Sequence, residues 1–579
     1  MKRPFRKRNY KATNTRLVAY DFETTNIKVG TPDPLYITAF GENFKLSKAI
    51  NKKSLLSVLQ SSFLIPEFLK TRFVAWNANK YDVYFIALSL MESPDYILRP
   101  YLTSGKQLRG LRVELVPDMI KSWQKRFKLK IKRMYWEFLD GMAMTGLQCA
   151  LKKFLKLFCP DYEKFSRDFS KSEFDPSDPK DILYAERDSE GLYHGMMNAQ
   201  KIIETEFQLN FKPTMGNLAI KIFSKYIPEK VLIYSPPKEA IEIIKENVMR
   251  GGYCHIMTKY KGQTWKYDIN QAYASVMRNP LPWGRCIRIV GKMKPKKLGI
   301  YEISAYNVKN FIPFYFRKDR RGIFENNHLD HVWLTSVEIE QLQKENWDLI
   351  IHEGYYWERS FTMSKYVDHL EKLRMTAEGG PSGAKGTMIK SIGNNSYGKT
   401  VETLDGIELV WSKDRPEGFN SYMAEDPLMK FVWFRKGEAI LREYHQPQIG
   451  SFITAYVRMV VRTAIMLKPS AFLYADTDCV AFKEPVDLPI DAGKYGHWKL
   501  EVDGLEYQFI DKKVYCDLKA EVKHAKGMNL NNLTKEDFDQ WFEGNPPKQK
   551  QLHRNNFLKV MAGIDMFVER EKVGAKNKN

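Results

Sequence analysis

The decapeptide LYADTDCVAF, residues 473–482, gives the strongest indication of fold in this 579-residue chain. Two carboxylates one residue apart, Asp476 and Asp478, lie between two apolar runs that are typical of short buried strands. A tight turn between these strands would place both acids at the end of a β-hairpin, where each raises the pKa of the other unless a cation lies between them. Carboxylate oxygens suit Mg²⁺, which binds one or two of them together with substrate phosphates. Taken alone, the decapeptide fits a polar hairpin turn equally well.

A third acid can join this pair from upstream. In WKYDINQAYASVM, residues 265–277, an apolar strand ends at Asp268 and a helical pattern follows. Asp268 can therefore lie beside Asp476 and Asp478 on a neighbouring strand. A long excursion of the chain would then separate the two halves of one site.

The segment KSIGNNSYG, residues 390–398, lies between these two. In a helix its Lys390, Asn394 and Tyr397 fall at i, i+4 and i+7, on one face. That face offers a cation, an amide and an aromatic ring. Because a nucleoside triphosphate needs positive charge on its phosphates and a surface against its base or sugar, the face fits such a ligand.

The N-terminal third contains a second set of acids. The strand LVAYDFETT, residues 17–25, carries Asp21 and Glu23 on one face by period-two alternation. NANKYD at 77–82 and YAERD at 184–188 follow along the chain. Each fragment alone also fits a solvated strand end or helix face.

Together these three segments offer four carboxylates and a phenol: Asp21, Glu23, Asp82, Asp188 and Tyr184. Tyr184 and Asp188 are one helical turn apart, so their side chains can converge on one site. Four acids around two cations fit phosphodiester hydrolysis, in which one ion activates water and the other stabilises the leaving oxygen.

Composition indicates a polyanionic partner. Lys and Arg total 91 against 69 Asp and Glu, which gives a net charge of +22 and a pI near 9.3. The length and a hydrophobic content of 44% support several folded domains. A basic membrane-surface protein would share the charge. The sequence shows no amphipathic anchor, no lipidation motif and no apolar run of about 18 residues, which favours nucleic acid and no membrane association.

Cysteine usage and the N-terminal segment indicate an intracellular protein. The six cysteines form no C-x-x-C pair and have no His at zinc spacing, so we expect free, reduced thiols. The basic start, MKRPFRKRNYKATNTR at residues 1–16, lacks the apolar segment of a secretory signal. We expect a solvated tail there, rather than an arm that contacts DNA or the folded domains.

In order along the chain, the segments around Asp268, Lys390 and Asp476 resemble motifs A, B and C of the family B DNA polymerases. More narrowly, they resemble the protein-primed branch of that family. The match is strong at motif C and good at motif A, whereas motif B has Asn395 where the family usually has Ser. The three N-terminal segments resemble the ExoI, ExoII and ExoIII motifs of the DEDD 3′–5′ exonucleases. The resemblance spans nearly the whole chain.

Shorter segments extend the resemblance. TAYVR at 454–458 is similar to the T-x-x-A-R primer-template motif, and KVY at 513–515 is similar to the K-x-Y motif at the primer terminus. RGG at 250–252 resembles the Y-x-G-G linker motif, with Met249 in place of Tyr. The residues for which the resemblance implies DNA contact are Arg250, Gly251, Gly252, Thr454, Arg458, Lys513, Tyr515, Thr24 and Asn77.

The resemblance also implies two Mg²⁺ ions in each catalytic site, with Mn²⁺ as a substitute. In the polymerase site Asp268 and Asp478 would bridge both ions, the Ile269 carbonyl would complete a coordination sphere, and Asp476 would support them. In the exonuclease site the implied metal ligands are Asp21, Glu23, Asp82 and Asp188, with Tyr184 beside them.

For the incoming dNTP, the resemblance implies contacts from one finger and from the segment after Asp268. Lys390 and Arg374 would neutralise the phosphates, and Asn394 shares the face of Lys390. Tyr273 would stack under the deoxyribose and exclude a 2′-hydroxyl, and Tyr397 would line the nascent base pair. The alternatives are a core aromatic at Tyr273 and a solvated cation at Arg374.

The implied fold is an α/β and α+β multidomain chain. An RNase H-like DEDD exonuclease domain precedes a right-hand polymerase of palm, fingers and thumb with two insertions. The expected domains are the exonuclease (1–200), palm (201–282), terminal-protein region 1 (283–360), fingers (361–401), terminal-protein region 2 (402–445), palm (446–523) and thumb (524–579).

The implied function is DNA-directed DNA synthesis with 3′–5′ proofreading and strand displacement on a linear genome. The partners would be template and primer DNA, dNTPs and a separate terminal protein that supplies the priming hydroxyl, in the host cytoplasm of a phage or linear plasmid. Two alternatives remain. One is a primer-independent polymerase of the same branch, and the other is a catalytically inactive nucleic-acid-binding protein.

Overall fold

The computed structural model describes residues 4–12, 15–103, 107–162, 173–402, 407–421, 431–436 and 442–574. Parts of the predicted domains 1–200, 402–445 and 524–579 therefore lie outside the described residues. Within the described ranges the strands form sheets of ten, seven, four, two and two strands.

The N-terminal region folds around parallel central strands. Its strands are β1 (Leu17–Thr24), β2 (Pro34–Gly41), β3 (Phe44–Ala49), β4 (Arg72–Ala75), β5 (Tyr96–Leu102), β6 (Leu108–Leu115) and β7 (Tyr135–Asp140). Its helices are α1 (Lys52–Ser62), α2 (Asp82–Leu90), α3 (Pro117–Phe127), α4 (Gly141–Thr145), α5 (Leu151–Phe158) and α6 (Pro179–Phe207). Because β1, β4 and β7 run parallel as neighbours, their C-terminal ends share one edge of the sheet.

The chain then passes through a mixed region up to residue 401. It contains α7 (Met215–Lys225), α8 (Lys238–Ile243), β8 (Tyr253–Ile256), β9 (Tyr260–Ile269), α9 (Ala272–Ser275), β10 (Leu281–Val290), β11 (Gly299–Tyr306), β12 (Phe314–Lys318), β13 (Arg321–Glu325), β14 (His328–Thr335), α10 (Ser336–Lys344), β15 (Asp348–Phe361), α11 (Ser364–Met375), α12 (Ala384–Asn395) and α13 (Gly398–Val401). Strands β10, β15, β11 and β14 form the four-stranded sheet, and α11 packs against α12 as a helical hairpin.

The C-terminal part completes the seven-stranded sheet. Its elements are β16 (Ile407–Trp411), β17 (Asn420–Ser421), β18 (Val432–Lys436), α14 (Pro447–Leu467), β19 (Phe472–Thr477), β20 (Cys479–Phe482), β21 (Trp498–Asp511), β22 (Val514–Asp517), β23 (Lys523–Ala525), α15 (Lys535–Phe542), β24 (Lys548–Arg554), α16 (Phe557–Met561) and β25 (Phe567–Val573). The sheet order is β23-β22-β21-β9-β20-β19-β8. Strand β9 therefore lies next to the hairpin β19–β20, although the two are far apart in sequence.

Helix α14 lies behind this sheet. By length and composition it could cross a membrane, but 72% of its most apolar window is buried inside the protein. It packs against β19 and β20, which is the position of a core helix. We expected the sequence to hold no apolar run of about 18 residues. That expectation was wrong, because the 21-residue α14 is long and apolar enough to cross a membrane, although Arg458 and Arg462 lie within it.

The N-terminal segment is not a solvated tail where the structure describes it. Phe5 exchanges two backbone hydrogen bonds of 2.9 Å with Ile233. Its buried ring lies parallel to that of Phe223, with centroids 6.2 Å apart. The segment therefore contacts the predicted palm, because an aromatic side chain at position 5 gains more from burial than from exposure.

The described part of the predicted region 402–445 extends the exonuclease sheet. Strand β16 pairs with β5 through Trp411 and Leu98, and β18 pairs with β16. The fully buried Trp411 packs edge-on against Phe557 of α16, with ring centroids 5.4 Å apart. Two regions that are remote in sequence thus contribute to the core of the N-terminal region. The boundaries of the seven domains remain predictions.

Candidate active sites

The acids of the decapeptide lie at a tight turn. Strand β19 ends at Thr477, whose φ of 67° is left-handed, and the Asp478 N–H donates to the Asp476 carbonyl at 2.8 Å. Strand β20 pairs with β9 so that Asp268 lies opposite the residue after Asp478. The Ile269 N–H donates to the Asp478 carbonyl at 2.9 Å. The structure thus brings Asp268 and Asp478 to adjacent strand ends, as the sequence predicts.

Both carboxylates are partly removed from solvent. Burial, the Asp478 charge and the Glu501 charge raise the pKa of Asp268 to about 7. Burial also raises the pKa of Asp478, with contributions from Asp476 and Glu501 that Lys390 opposes. Two such groups are costly to ionise side by side, and a divalent cation between them would remove that cost. The donor set therefore fits the implied Mg²⁺ ions, and the contact of the Ile269 carbonyl remains a prediction.

Asp476 has a different partner. The Lys513 ammonium lies 2.6 and 2.7 Å from its two carboxylate oxygens, and the Lys513 N–H donates to the Tyr474 hydroxyl at 3.2 Å. This ion pair neutralises Asp476 and separates its role from that of Asp478. The Lys513 side chain is still part-exposed, so its predicted contact with the primer terminus stays a prediction.

Three charged residues near the site were missed in the sequence. Glu501 accepts from Lys266 at 2.8 Å and from Lys499 at 3.2 Å, and its charge helps to raise the pKa of both Asp268 and Asp478. Lys266 precedes Asp268 by two positions on β9, so strand alternation could have indicated that it shares the face of Asp268.

The face predicted for the nucleotide is only partly helical. Lys390 and Asn394 lie exposed on α12, but the helix ends at Asn395, so Tyr397 is not on the same helix as they are. The ring of Tyr397 stacks on that of Tyr273, with centroids 4.7 Å apart and an angle of 17°. Burial raises the pKa of Tyr273, and the Asp478 charge adds to that shift. Tyr273 is therefore half-buried beside the carboxylates instead of being a residue of the closed core.

Arg374 is not a solvated cation. From α11 it reaches the segment after β9, where its Nη1 donates to Asn270 Oδ1 at 3.3 Å. Its guanidinium carbon lies 5.8 Å from the centre of the Tyr495 ring. Arg374 thus joins the predicted fingers to the predicted palm near Asp268.

Two arginines predicted to contact DNA are buried in a charge cluster with Glu338. The exposed fractions of the side chains are 1% for Arg250, 2% for Arg458 and 0% for Glu338. Arg250 and Arg458 both donate to the Glu338 carboxylate. Arg458 also donates to the backbone carbonyls of Arg250 and Gly251 at 3.0 and 3.1 Å. Direct contact of these guanidinium groups with DNA is therefore wrong for this structure, because Glu338 holds them inside the fold.

Other predicted DNA contacts show the same pattern. Thr454 is buried within α14, and its hydroxyl donates to the Ser451 carbonyl at 3.1 Å. Tyr515 is buried, and its ring stacks on His524 at 4.5 Å. Since both side chains are buried, we expect them to support the site by packing instead of contacting DNA directly.

The glycines of the linker lie close to the catalytic turn. Gly251 is exposed and has open space around it, whereas a Cβ on Gly252 would lie 2.6 Å from the Cα of Thr477. Only glycine permits this approach of the linker to the turn that carries Asp476 and Asp478. Arg458, held by Glu338, fixes the backbone of the linker, and the linker packs against the catalytic turn. The two side chains therefore position the site indirectly.

In the N-terminal region, three acids form a cradle for a cation. The ligand oxygens of Asp21, Glu23 and Asp188 lie within 4.8 Å of one another. Asp21 and Glu23 come from β1, and Asp188 lies one turn after the buried Tyr184 in α6. The cradle fits the implied divalent cation, because three carboxylate oxygens at this spacing suit Mg²⁺.

The fourth predicted ligand, Asp82, is not in this group of three. It lies buried at the start of α2, where the Phe22 N–H donates to it at 3.3 Å, and burial raises its pKa to about 7. Asp140, which the sequence did not single out, is also buried, and its charge helps to raise the pKa of Asp82. The Asp140 carboxylate accepts from Asn79 N at 3.0 Å and from Met142 N at 2.8 Å.

The two DNA contacts predicted here lie beside the acids. Thr24 ends β1, and its hydroxyl shares a hydrogen bond with the Tyr81 hydroxyl. Asn77 follows β4 in a left-handed conformation, with φ of 64°. The buried Asn77 Oδ1 has no hydrogen-bond partner among the described residues. The predicted contact of Asn77 with DNA stays a prediction.

Comparison with known proteins shows to which family the chain belongs. The family described as DNA polymerase type B, organellar and viral, matches residues 74–432. The chain belongs to this family.

Two curated relatives are a DNA-directed DNA polymerase of Enterobacteria phage PRD1 and a probable DNA polymerase of Podospora anserina. The phage protein is 24% identical over 324 residues, which are 53% of this chain and 55% of the relative. The Podospora protein is 21% identical over 432 residues, which are 64% of this chain and 36% of the relative. The chain thus spans about half of one relative and about a third of the other.

Among solved structures, the phi29 DNA polymerase has the same fold. The orthorhombic crystal form aligns with a TM-score of 0.73 at 17% identity, over 97% of this chain and 100% of the other. Its ternary complex with primer-template DNA and incoming nucleotide aligns with a TM-score of 0.71 at 17% identity, over 98% and 100% of the two chains. The mixed α/β multidomain architecture is therefore that of the phi29 enzyme.

Proposed function

We propose that this chain is a DNA-directed DNA polymerase. The observation that carries the proposal is the pairing of Asp268 and Asp478, two acids with raised pKa values at adjacent strand ends. The cation Lys390 and the stacked rings of Tyr273 and Tyr397 lie beside the pair. Family membership and the name of the PRD1 relative support the same activity.

Asp268 and Asp478 would hold the two divalent ions, Mg²⁺ or Mn²⁺. Bound there, such ions lower the pKa of an attacking hydroxyl and stabilise charge on the phosphates. Lys390 contributes positive charge to the triphosphate. The Tyr273 ring would lie beside the sugar, and Asp476 is paired with Lys513.

The test is nucleotide incorporation by Asp268→Asn and Asp478→Asn variants on a primed template. Each variant should lose at least about a thousandfold in rate while DNA binding and single-strand degradation persist, because these ligands belong to one site. The matched control is Asp503→Asn, an exposed acid on β21 that bonds the Trp265 indole at 2.9 Å. Near-parental extension by either site variant would contradict the proposal and favour an inactive DNA-binding protein.

A 3′–5′ exonuclease in the N-terminal region is the second part of the proposal. The cradle of Asp21, Glu23 and Asp188 supports it, as does its position on a sheet separate from the polymerase acids. The double variant Asp21→Ala with Glu23→Ala should lose degradation of single strands and retain polymerisation. Residual exonuclease within a few-fold of the parent would contradict this assignment.

Initiation by protein priming, with strand displacement, is the third part. The resemblance to the protein-primed branch supports it, as do the two predicted insertions at 283–360 and 402–445. The expected partner is a separate terminal protein with a free Ser, Thr or Tyr hydroxyl, in the host cytoplasm. Deleting residues 402–445 would be a poor test, because Trp411 belongs to the core of the exonuclease region.

A sharper test supplies linear duplex DNA, dNTPs and Mg²⁺ without any primer. The intact chain should not begin synthesis unless a small protein encoded beside it is added, which should then carry labelled nucleotide covalently. The Asp268→Asn variant is the control for label that does not come from this site. Synthesis with nucleotides alone would favour the primer-independent alternative.

A further inference from the structure

A strongly basic surface lies on the N-terminal region, beyond the end of β7 that is opposite the exonuclease acids. It consists of the part of α3 from Lys121 onward and the loop that follows the helix, residues 121–133, and is called the α3 surface below. Its seven cations are all exposed: Lys121, Lys125, Arg126, Lys128, Lys130, Lys132 and Arg133. Lys121 pairs with Asp118 at 3.1 Å. Within the described part of the chain, the other six have no ion-pair partner.

The α3 surface is a fixed part of the fold. Trp123 packs edge-on against Trp136 with ring centroids 5.8 Å apart, and Gln124 donates to the Ile131 carbonyl at 3.0 Å. Lys128 ends the helix in a left-handed conformation, with φ of 52°. After it, the exposed lysines alternate with Leu129 and Ile131, which pack against the core. The apolar residues thus hold the segment, and the six unpaired cations only repel one another there.

One aromatic ring lies among these cations. Phe127 is 38% exposed, and the guanidinium of Arg126 lies 5.1 Å from its centre. An accessible ring flanked by cations is the arrangement on which proteins stack the bases of single-stranded nucleic acid. A membrane surface fits less well, because the apolar face of α3 is already packed against the protein.

The position of the α3 surface separates it from the exonuclease acids. Strand β7 begins at Tyr135, next to the surface, and ends at Asp140, next to the exonuclease acids. Five steps of about 3.3 Å place the two ends roughly 17 Å apart along the strand. The α3 surface therefore lies at the N-terminal end of β7, whereas the exonuclease acids lie at the C-terminal ends of the central strands.

We infer that the α3 surface binds single-stranded DNA outside both catalytic sites. Its cations contact the phosphates, and Phe127 stacks on a base. This inference rests on the proposed function, in which an unpaired template strand enters the polymerase and a displaced strand leaves it. Such a surface would keep that strand close to the enzyme during long synthesis.

The test measures binding of a labelled dT oligonucleotide by the full chain in EDTA, where neither catalytic site acts. The test variant replaces three unpaired cations of the surface by Ser: Lys125, Arg126 and Lys130. The control variant removes the same charge from exposed lysines of the same region: Lys48, Lys52 and Lys53. In the test variant the affinity should fall by about tenfold near 0.1 M salt. The slope of log K against log salt should decrease by about 2, or roughly 0.7 per lost phosphate contact.

A second variant tests the stacking contact. Phe127→Ser should weaken binding of the oligonucleotide several-fold without changing the salt slope, because it removes no cation. Equal loss in the test and control variants would overturn the inference, since total charge alone would then explain binding. Loss of binding to vesicles rich in phosphatidylserine, with oligonucleotide binding unchanged, would overturn it in favour of a membrane surface. Because no nucleotide is incorporated, failure here is distinct from failure of the proposed polymerase activity.

Discussion

Replacing Glu338 by Ala should destabilise the protein more than almost any other single substitution. Its carboxylate accepts from Arg250 and Arg458, and also from Thr335 N at 3.0 Å and Thr335 Oγ1 at 2.9 Å. Burial raises the pKa of Glu338, but Arg250 and Arg458 outweigh it, so that the pKa is lowered overall. The substitution would leave two buried guanidinium groups without a countercharge.

The magnitude follows from that burial. Removing one partner of a buried ion pair costs about 3–5 kcal/mol, because the remaining charge is uncompensated. A domain is stable by about 5–15 kcal/mol, so the loss is a large share of the total. The carbonyls of Arg250 and Gly251 would also lose the position that Arg458 gives them, and primer extension should fall even at temperatures where the variant remains folded.

The assay is urea denaturation of the full chain, combined with primer extension and single-strand degradation at a temperature below unfolding. Glu340→Ala is the matched control, because Glu340 is exposed on the same helix, and its loss should stay within about 0.5 kcal/mol. Glu338→Gln keeps a hydrogen-bond acceptor without the charge. Its loss of stability should lie between those of Glu338→Ala and Glu340→Ala.

The pH dependence gives an independent check. The folded pKa of Glu338 lies below its ordinary value of 4.5. Its contribution to stability is therefore present above about pH 4.5 and lost as the pH falls through the lower folded value. Glu338→Gln should lack this part of the acid transition. A loss below about 1 kcal/mol in Glu338→Ala, or equal losses in Glu338→Ala and Glu340→Ala, would refute the reasoning.

Three further predictions concern the polymerase site. Tyr273→Val should admit ribonucleotides far better while still using dNTPs, and unchanged discrimination in competition assays would return Tyr273 to a packing role. Gly252→Ala should reduce extension by about a hundredfold, since its Cβ would lie 2.6 Å from the Thr477 Cα. Gly251→Ala, with open space around it, should be near parental, and equal effects of the two would contradict the argument. Because the pKa of Asp268 is about 7 without metal, extension at low Mg²⁺ should fall as the pH drops below 7. Added Mg²⁺ should restore it by competing with the proton, and a profile that Mg²⁺ does not move would count against this ligand.

Local sequence patterns were sufficient to predict the family and to identify the main acids. The resemblance to family B polymerases is confirmed by family membership and by the fold. Asp476 and Asp478 lie on one short turn, and Asp21 and Glu23 lie on one strand face. Since strand alternation and turn residues act over a few positions, they can be read without knowing the rest of the fold.

The sequence misjudged residues whose surroundings come from distant segments. Arg250 and Arg458 match DNA-contact motifs, yet both are buried against Glu338, which is 88 and 120 residues away in sequence. A motif gives the type of side chain, but not what covers it. Phe5 was expected to be solvated for the same reason, and instead packs in the core.

The sequence by itself determined the family, the two groups of acids and the basic character of the chain, because composition and short-range periodicity contain that information. Only the tertiary structure decided which charges are neutralised and which remain available. Lys513 pairs with Asp476, and Glu338 pairs with two arginines, whereas six of the seven cations of the α3 surface have no ion-pair partner among the described residues. Electrostatic energy depends on distance and burial, and these are set when segments far apart in sequence pack against one another.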